Sequence, residues 1–349
     1  MQLGICAFPK GTPDSNLIHK SKGNTPLTIS CNALPLVGGG TVGGLMSIWV
    51  AGELIIDILP TGPVVGGGPA NTAKALARLD HAVDFIDGIS SDAYGEMARK
   101  ELSSDGVALN VSHISDKPSS TATVTLDSAG GATYEFMIEG SATFDFEHSW
   151  LPDAERLKPS ALHIGSLATI IEPGASVLFD WAVRVGEFAP ILFDPNIRAS
   201  VMTDRATYCA SVERWISISS VVKLSDEDMQ WLYPDEPIDE VARRWIAGGL
   251  CLVVITRGAN GLVGFTDGDM QEVDAADVSV VDTVGAGDSV GAIIVEAIIL
   301  HSVASLRSQV LRDVLHRAAV AAGITCSRSG AQPPYSHELT KAMENNAVH

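Results

Sequence analysis

From position 47 onward, short apolar runs rich in Ile, Val and Leu alternate with segments whose apolar residues recur at helical spacing. The pattern predicts a strand over 47–58, a helix over 70–79, a strand over 83–87 and a helix over 93–104. Further β-rich runs follow at 161–165, 190–194, 219–223 and 251–256. Strands alternating with helices predict a mostly parallel sheet covered on both faces. Residues 119–137, SSTATVTLDSAGGATYEFM, break this rhythm. Their apolar and polar positions alternate on both sides of Gly130-Gly131, which is the pattern of a hairpin and reads as an antiparallel lid on the sheet. The stretch VSVVDTVGAGDSVGAIIVEAI, 278–298, reads as the end of a buried strand at Val278, Val280 and Val281, a glycine turn, and a helix from Ala292 to Ile298.

The chain has 349 residues, 46% of them hydrophobic and 19% charged, with a mean hydropathy of +0.21, enough to bury a large core. No window holds the roughly 18 or more uninterrupted apolar residues of a membrane span. A formal charge of −19 repels nucleic acid and anionic lipid, so neither is an expected partner. A nucleotide ligand would instead need local donors such as helix N-termini. Cys6, Cys31, Cys209, Cys251 and Cys326 contain no C-x-x-C pair and read as free thiols of a reducing cytoplasm. Residues 1–45 carry Lys10, Lys20 and Lys22 against Asp14 and lack a basic start leading into an apolar region. They read as a disordered extension or as sequence ahead of a natural start at Met46, leaving one catalytic domain over 46–340 and a tail over 341–349.

Three stretches offer chemistry. Gly66-Gly67-Gly68-Pro69-Ala70-Asn71 precedes the helical TAKALARL. It is either a turn with its cap or a place where a ligand meets bare backbone and the Asn71 amide. Asp57 interrupts the apolar LIIDIL, as a strand-end cap or as a carboxylate awaiting ligand hydroxyls. LVVITRGANG, 252–261, is a strand ending in glycine-rich backbone, and ligands of open α/β sheets collect at such ends. Neither a Walker A sequence nor a well-placed G-x-G-x-x-G occurs, and no H-E-x-x-H or Cys/His cluster suggests zinc.

The turn at 285–291 fits two reactions. Gly285-Ala286-Gly287-Asp288 is a phosphate cradle at a helix start, followed by a carboxylate base, which together meet the needs of phosphoryl transfer. Gly287-Asp288-Ser289-Val290-Gly291 also spells the G-x-S-x-G elbow of a serine hydrolase, with Asp313, His316 and His337 downstream. An elbow follows its strand at once, whereas Thr283 to Ala286 intervene here, and a hydrolase leaves Asp57, GGGPAN and the lid without a role. A non-catalytic sugar sensor on the same fold is a third reading, set against an intact Asp288.

Taken together, Gly66 to Asn71 and Asp282-Thr283-Val284-Gly285-Ala286-Gly287-Asp288 resemble the signature pair of the ribokinase-like sugar kinases, the PfkB family. The similarity covers essentially 47–340. GELIID, HIGSLA at 163–168, FDPNIR at 193–198, VVKLSDED at 221–228 and CSRSGAQPP at 326–334 are most similar to its bacterial fructokinase branch. The resemblance implies a three-layer α/β/α sandwich with a small β lid, its strands near 58–66 and 119–138. It also implies ATP-dependent phosphorylation of a sugar hydroxyl with Mg2+. Fructose to fructose 6-phosphate is the favoured reaction, with 2-keto-3-deoxygluconate, ribose or a nucleoside as alternative acceptors. By the same resemblance, Asp57, Gly66, Gly67 and Asn71 hold the sugar, and Gly285, Ala286 and Gly287 form an anion hole. Asp288 is the base, and Thr256, Gly258 and Gly261 line the nucleotide site.

The departures are Asp80 and Ser90 where glycine is customary, Ile293 in place of a small residue, and Lys223-Leu224-Ser225-Asp226 in place of an N-x-x-E motif. The last leaves the metal ligands unassigned and a monovalent cation open, and it brings Lys223 toward the nucleotide phosphates. The lid either packs in a homodimer or folds back on its own chain.

Overall fold

The computed structural model describes residues 46–126 and 132–346; residues 1–45, the Gly130-Gly131 turn and residues 347–349 lie outside them. The first half of the chain forms β1 (Ile48–Ala51), β2 (Ile55–Leu59), β3 (Gly62–Gly66), α1 (Gly68–Arg78), β4 (Val83–Ile86), β5 (Gly88–Ser90), α2 (Ala93–Ser104), β6 (His113–Ser115), β7 (Thr121–Leu126), β8 (Ala132–Met137) and α3 (Ala154–Leu157). There follow β9 (Ala161–Gly165), α4 (Gly174–Val185), β10 (Ile191–Asp194), α5 (Arg205–Ile216), β11 (Val221–Ser225), α6 (Asp226–Leu232), α7 (Ile238–Ala247) and β12 (Leu252–Thr256). The last elements are β13 (Leu262–Thr266), β14 (Asp269–Val273), α8 (Ala286–His301), α9 (Ser308–Cys326) and α10 (Ser336–Asn346).

Eight strands form the central sheet in the order β14-β13-β12-β11-β10-β9-β1-β4, parallel from β12 to β4 and antiparallel at the β13 and β14 edge. The parallel strands read as near-continuous apolar runs because both their faces are buried. Along β1, Ile48 and Val50 enter a core with α1, α8 and α9, while Trp49 and Ala51 enter another with α4, α5 and α7. The register aligns Val50, His163, Leu192 and Val221 in one row on the α8 side. Asp194 and Lys223 lie two residues further along β10 and β11 on that side, toward the carboxyl ends of the strands.

A second sheet, β3-β2-β7-β8, is the lid. It leaves the central sheet directly after β1, so the strand expected over 47–58 is two strands. Gly52, at φ 143, turns the backbone out of the sheet, and the Leu54 amide bonds to Asp87 Oδ2 and Thr143 Oγ1 at 3.0 Å each. In the lid Asp57 pairs with Val64 and Ala122, which places these three on one face.

Two expectations for 278–298 change. Residues 278–281 are not a buried strand: β14 ends at Val273, and Val280 and Val281 are 63% and 64% exposed. Their β-branched side chains suit a strand, but no neighbouring strand is present. The Val281 and Asp282 amides instead share the carbonyl of Cys326 at 2.8 and 3.2 Å. The helix begins at Ala286 rather than Ala292, so the glycine turn is its first turn.

Asp80 adopts φ 67, which explains why glycine is customary there; aspartate is among the residues that tolerate this region. Cys326 is a free thiol, whereas Cys251 is disulfide-bonded, which departs from the reading of all five as free thiols. The last helix runs to Asn346, past the boundary expected at 340. No helix among the described residues is long and apolar enough to cross a membrane.

Candidate active site

Helices α1 and α8 pack side by side, and their N-termini meet at the carboxyl ends of the parallel strands. In open α/β sheets ligands bind in that crevice. α8 is capped by Gly285 at φ 80, where a Cβ would come within 2.7 Å of Ala331 Cβ. Only glycine fits the position. The first amides of an α-helix have no intrahelical acceptor and carry its positive end, so the helix start at 285–287 favours an anion, with the Ala286 amide also reaching the Thr283 carbonyl at 3.3 Å. The loop before them is tied by Asp282, whose carboxylate accepts the amides of Val284 at 3.1 Å and Gly330 at 2.8 Å.

Asp288 follows in the same turn, and Asn71 Nδ2 of α1 donates to its Oδ2 at 2.9 Å. Two residues 217 positions apart are thus joined at the helix ends. Burial pushes the Asp288 carboxyl up to about 6; Lys223 opposes the rise, Asp194 adds to it, and the Asn71 bond and Arg198 oppose it further. Gly68 completes the approach: a Cβ there would sit 2.6 Å from Asn196 Nδ2 and 3.3 Å from Asp288 Oδ1. A side chain at position 68 would fill the space beside the Asp288 carboxyl.

Asp57 faces the same region from the lid. It is half-buried, accepts no hydrogen bond among the described residues, and is raised by burial with Arg198 opposing. A Cβ at Gly66 would strike its Oδ2, and one at Gly67 would strike the carbonyl of Glu53. The bare backbone of GGGPAN therefore makes room for Asp57 and for whatever it binds.

The other expected set forms one cavity. Thr256, Gly258 and Gly261, at the β12–β13 connection, line a space of about 580 Å³ together with Val280, Ala286, Gly287 and Gly323. Val278 and Val280 thus form part of the cavity wall. Lys223 does not line this space: it is 5% exposed, and its Nζ bonds to Asp194 Oδ2 at 2.7 Å.

Several polar residues at this centre did not stand out in the sequence. Glu53, 2% exposed, accepts the Ala168 amide at 3.1 Å and is pushed up to about 7 by burial, against its bonds to Ser166 and backbone and the charge of Arg198. Arg198, after β10, acts electrostatically on Glu53, Asp57 and Asp288 at once, which makes it the cation of the pocket mouth. Only Nη1 of its guanidinium is used, on Asn196 and the Ile197 carbonyl. The signals were FDPNIR and GELIID, noted for resemblance alone.

Ser289 is 2% exposed and its hydroxyl bonds to the Gly285 carbonyl at 3.0 Å and Thr325 Oγ1 at 2.8 Å. No hydrogen bond joins it to a histidine among the described residues. A hydroxyl packed between α8 and α9 lacks the access of an elbow nucleophile.

Comparison with known proteins bears on the chain as a whole. The profile described as pfkB family carbohydrate kinase matches residues 61–338. A fructokinase of Rhizobium leguminosarum bv. trifolii is 36% identical over 281 residues, covering 76% of this chain and 86% of its own. A fructokinase from Vibrio cholerae O395, solved with fructose, ADP and calcium ion bound, superposes with a TM-score of 0.73 at 27% identity, covering 85% of this chain and 98% of its own. A fructokinase with bound ATP from Xylella fastidiosa gives a TM-score of 0.80 at 23% identity over 86% and 99% of the two chains, which speaks to the fold.

Proposed function

Since the chain belongs to the pfkB family of carbohydrate kinases and is an ATP-dependent sugar kinase, we propose that its acceptor is fructose, phosphorylated at the 6-hydroxyl, with Asp288 as the base. The observation that carries this reading is the Asn71–Asp288 bond at the helix ends, with the unpartnered Asp57 facing it. Asp57 and Asn71 bind sugar hydroxyls over Gly66 and Gly67. ATP lies in the cavity of Thr256, Gly258 and Gly261, with its phosphates toward the amides of Gly285, Ala286 and Gly287. Asp288 accepts the hydroxyl proton at a carboxylate oxygen as the hydroxyl oxygen bonds to the γ-phosphorus and the bond from phosphorus to the β–γ bridging oxygen breaks, ADP leaving with the electron pair, while the helix end and Arg198 balance charge on the transferred group. Fructose in particular is supported by the fructokinase relatives, including one solved with fructose and ADP.

Mg2+ is the usual companion of ATP in such a reaction. Among the described residues no group of three His, Cys, Asp or Glu side chains is arranged to hold a metal. Mg2+ commonly binds through nucleotide phosphates and water rather than a protein cage. The residues present offer no such cage, and no step above runs through a protein-bound metal.

A coupled ATP-consumption assay over fructose, 2-keto-3-deoxygluconate, ribose and a nucleoside tests the acceptor. Fructose is expected to give the highest kcat/KM, and a tenfold preference for another acceptor would replace it. Ser289→Ala is expected to retain full kinase turnover and to lose about 0.5–1.5 kcal/mol of stability, the usual worth of a hydrogen bond. Turnover and Tm measure this. Loss of kinase turnover in a folded variant would return the serine to the chemistry.

A further inference from the structure

Behind the proposed base lies an ion pair that sugar and nucleotide binding do not use. Leu192 pairs with Val221, so Asp194 and Lys223 face each other two residues on, on the side covered by α8. Lys223 Nζ and Asp194 Oδ2 are 2.7 Å apart, and the two side chains are 6% and 5% exposed. A Cβ on Gly287 would lie 3.1 Å from the same Nζ. The ammonium therefore presses against the helix turn that carries Asp288. Asp194 Oδ1 is buried without a hydrogen-bond partner. Desolvating two ions costs more than the apolar pairs used elsewhere along these strands, so stability alone is a poor reason for the pair.

Resting on the reading of Asp288 as the base, we propose that Lys223 and Asp194 are positioning residues that set its basicity: Lys223 keeps Asp288 ionised, and Asp194 limits that effect so that it remains a competent proton acceptor. A buried carboxylate without a cation would stay protonated at neutral pH, and one beside an unbalanced cation would accept protons poorly. The other groups facing Asp288 leave this balance to the pair. From α1, Asn71 contributes a neutral donor. From the loop after β10, Arg198 adds a more distant positive charge. From β9, His163 is 1% exposed with both ring nitrogens unpartnered, and burial with the Lys223 charge pushes it down to about 3, so it is uncharged. From α6, Asp228 acts on Lys223, whose ammonium is favoured by Asp194 and Asp288 against its own burial.

The test is the acid limb of the kcat–pH profile in the full-length enzyme. Lys223→Met should move the limb up by about one pH unit, and Asp194→Asn should move it down by a similar amount. Opposite displacements from the two halves of one ion pair are the signature, since a structural tie would lower turnover in both without moving the limb. Lys223→Arg should keep the limb near its wild-type position. If Lys223→Met does not fold, the downward shift in Asp194→Asn still carries the proposal, and the double variant, which buries no unpaired charge, should bring the limb back toward wild type. Limbs unmoved in the folded variants, or displaced in the same direction, overturn it. Failure of the base assignment shows separately, as activity surviving removal of the Asp288 carboxylate.

Discussion

Asp288→Asn is expected to fold, to bind ATP with near-normal affinity, and to phosphorylate sugar at least about 100-fold more slowly, the low end of what a positioned general base contributes. The amide has the shape of the carboxyl and can still accept the Asn71 bond with its oxygen, so the turn and the cradle persist. What it cannot do is take the hydroxyl proton. The same assignment fixes a pH dependence: with the Asp288 carboxyl pushed up to about 6, wild-type kcat should fall as the pH drops through about 6 and level off above it. Steady-state turnover, an ATP titration and a Tm measured together distinguish lost chemistry from lost structure. Sugar phosphorylation persisting at the wild-type rate in the folded variant would remove Asp288 from the role.

Asp57→Ala is expected to cut kcat/KM for the sugar by about 10- to 150-fold, equivalent to about 1.5–3 kcal/mol for a hydrogen bond to a charged group, while leaving the KM for ATP nearly unchanged. Asp57 is half-buried with no hydrogen bond among the described residues, and burial raises its carboxyl. For an acid whose folded-state value lies above its unfolded one, ionisation disfavours the folded state once the pH exceeds the unfolded value. At neutral pH the alanine variant should therefore keep or slightly raise the Tm. Sugar and ATP parameters worsening together, with a lower Tm, would indicate damage to the lid rather than loss of a binding group.

The two signature segments were legible because their geometry is local. A glycine run before a capped helix, and a glycine turn before a carboxylate, state their own conformations. The alternation of strands and helices was legible for the same reason, apart from the break at Gly52–Leu54, where the chain leaves one sheet for another between two apolar segments separated by only Gly52 and Glu53. Glu53, His163 and Asp194 were hidden by the opposite circumstance, and Lys223 reads in the sequence as a phosphate contact rather than as half of a buried ion pair. Each sits in or beside a strand that looks apolar; only the register across β9, β10 and β11 brings His163, Asp194 and Lys223 under α8, and only the fold brings Glu53, after β1, to the Ala168 amide. Val280 and Val281 misled because β-branched residues favour strands wherever a partner exists, and here Val280 borders a cavity while the Val281 amide bonds to the Cys326 carbonyl.

α8 is buried along its length from Ser289 to Ile298, with α1 and α9 against it, whereas the lid is joined to the rest of the chain at the short connections around β2 and β7. The proposed proton acceptor therefore rides on a helix enclosed by its neighbours, and the proposed sugar-binding carboxylate on a half-buried position of a separate, smaller sheet. Under selection the two would diverge at different speeds. Altering residues on the Asp57 face of the lid can exchange one acceptor for another while the transfer machinery is inherited intact, so directed changes of acceptor should begin at Val64 and Ala122, beside Asp57, and leave the helix end untouched.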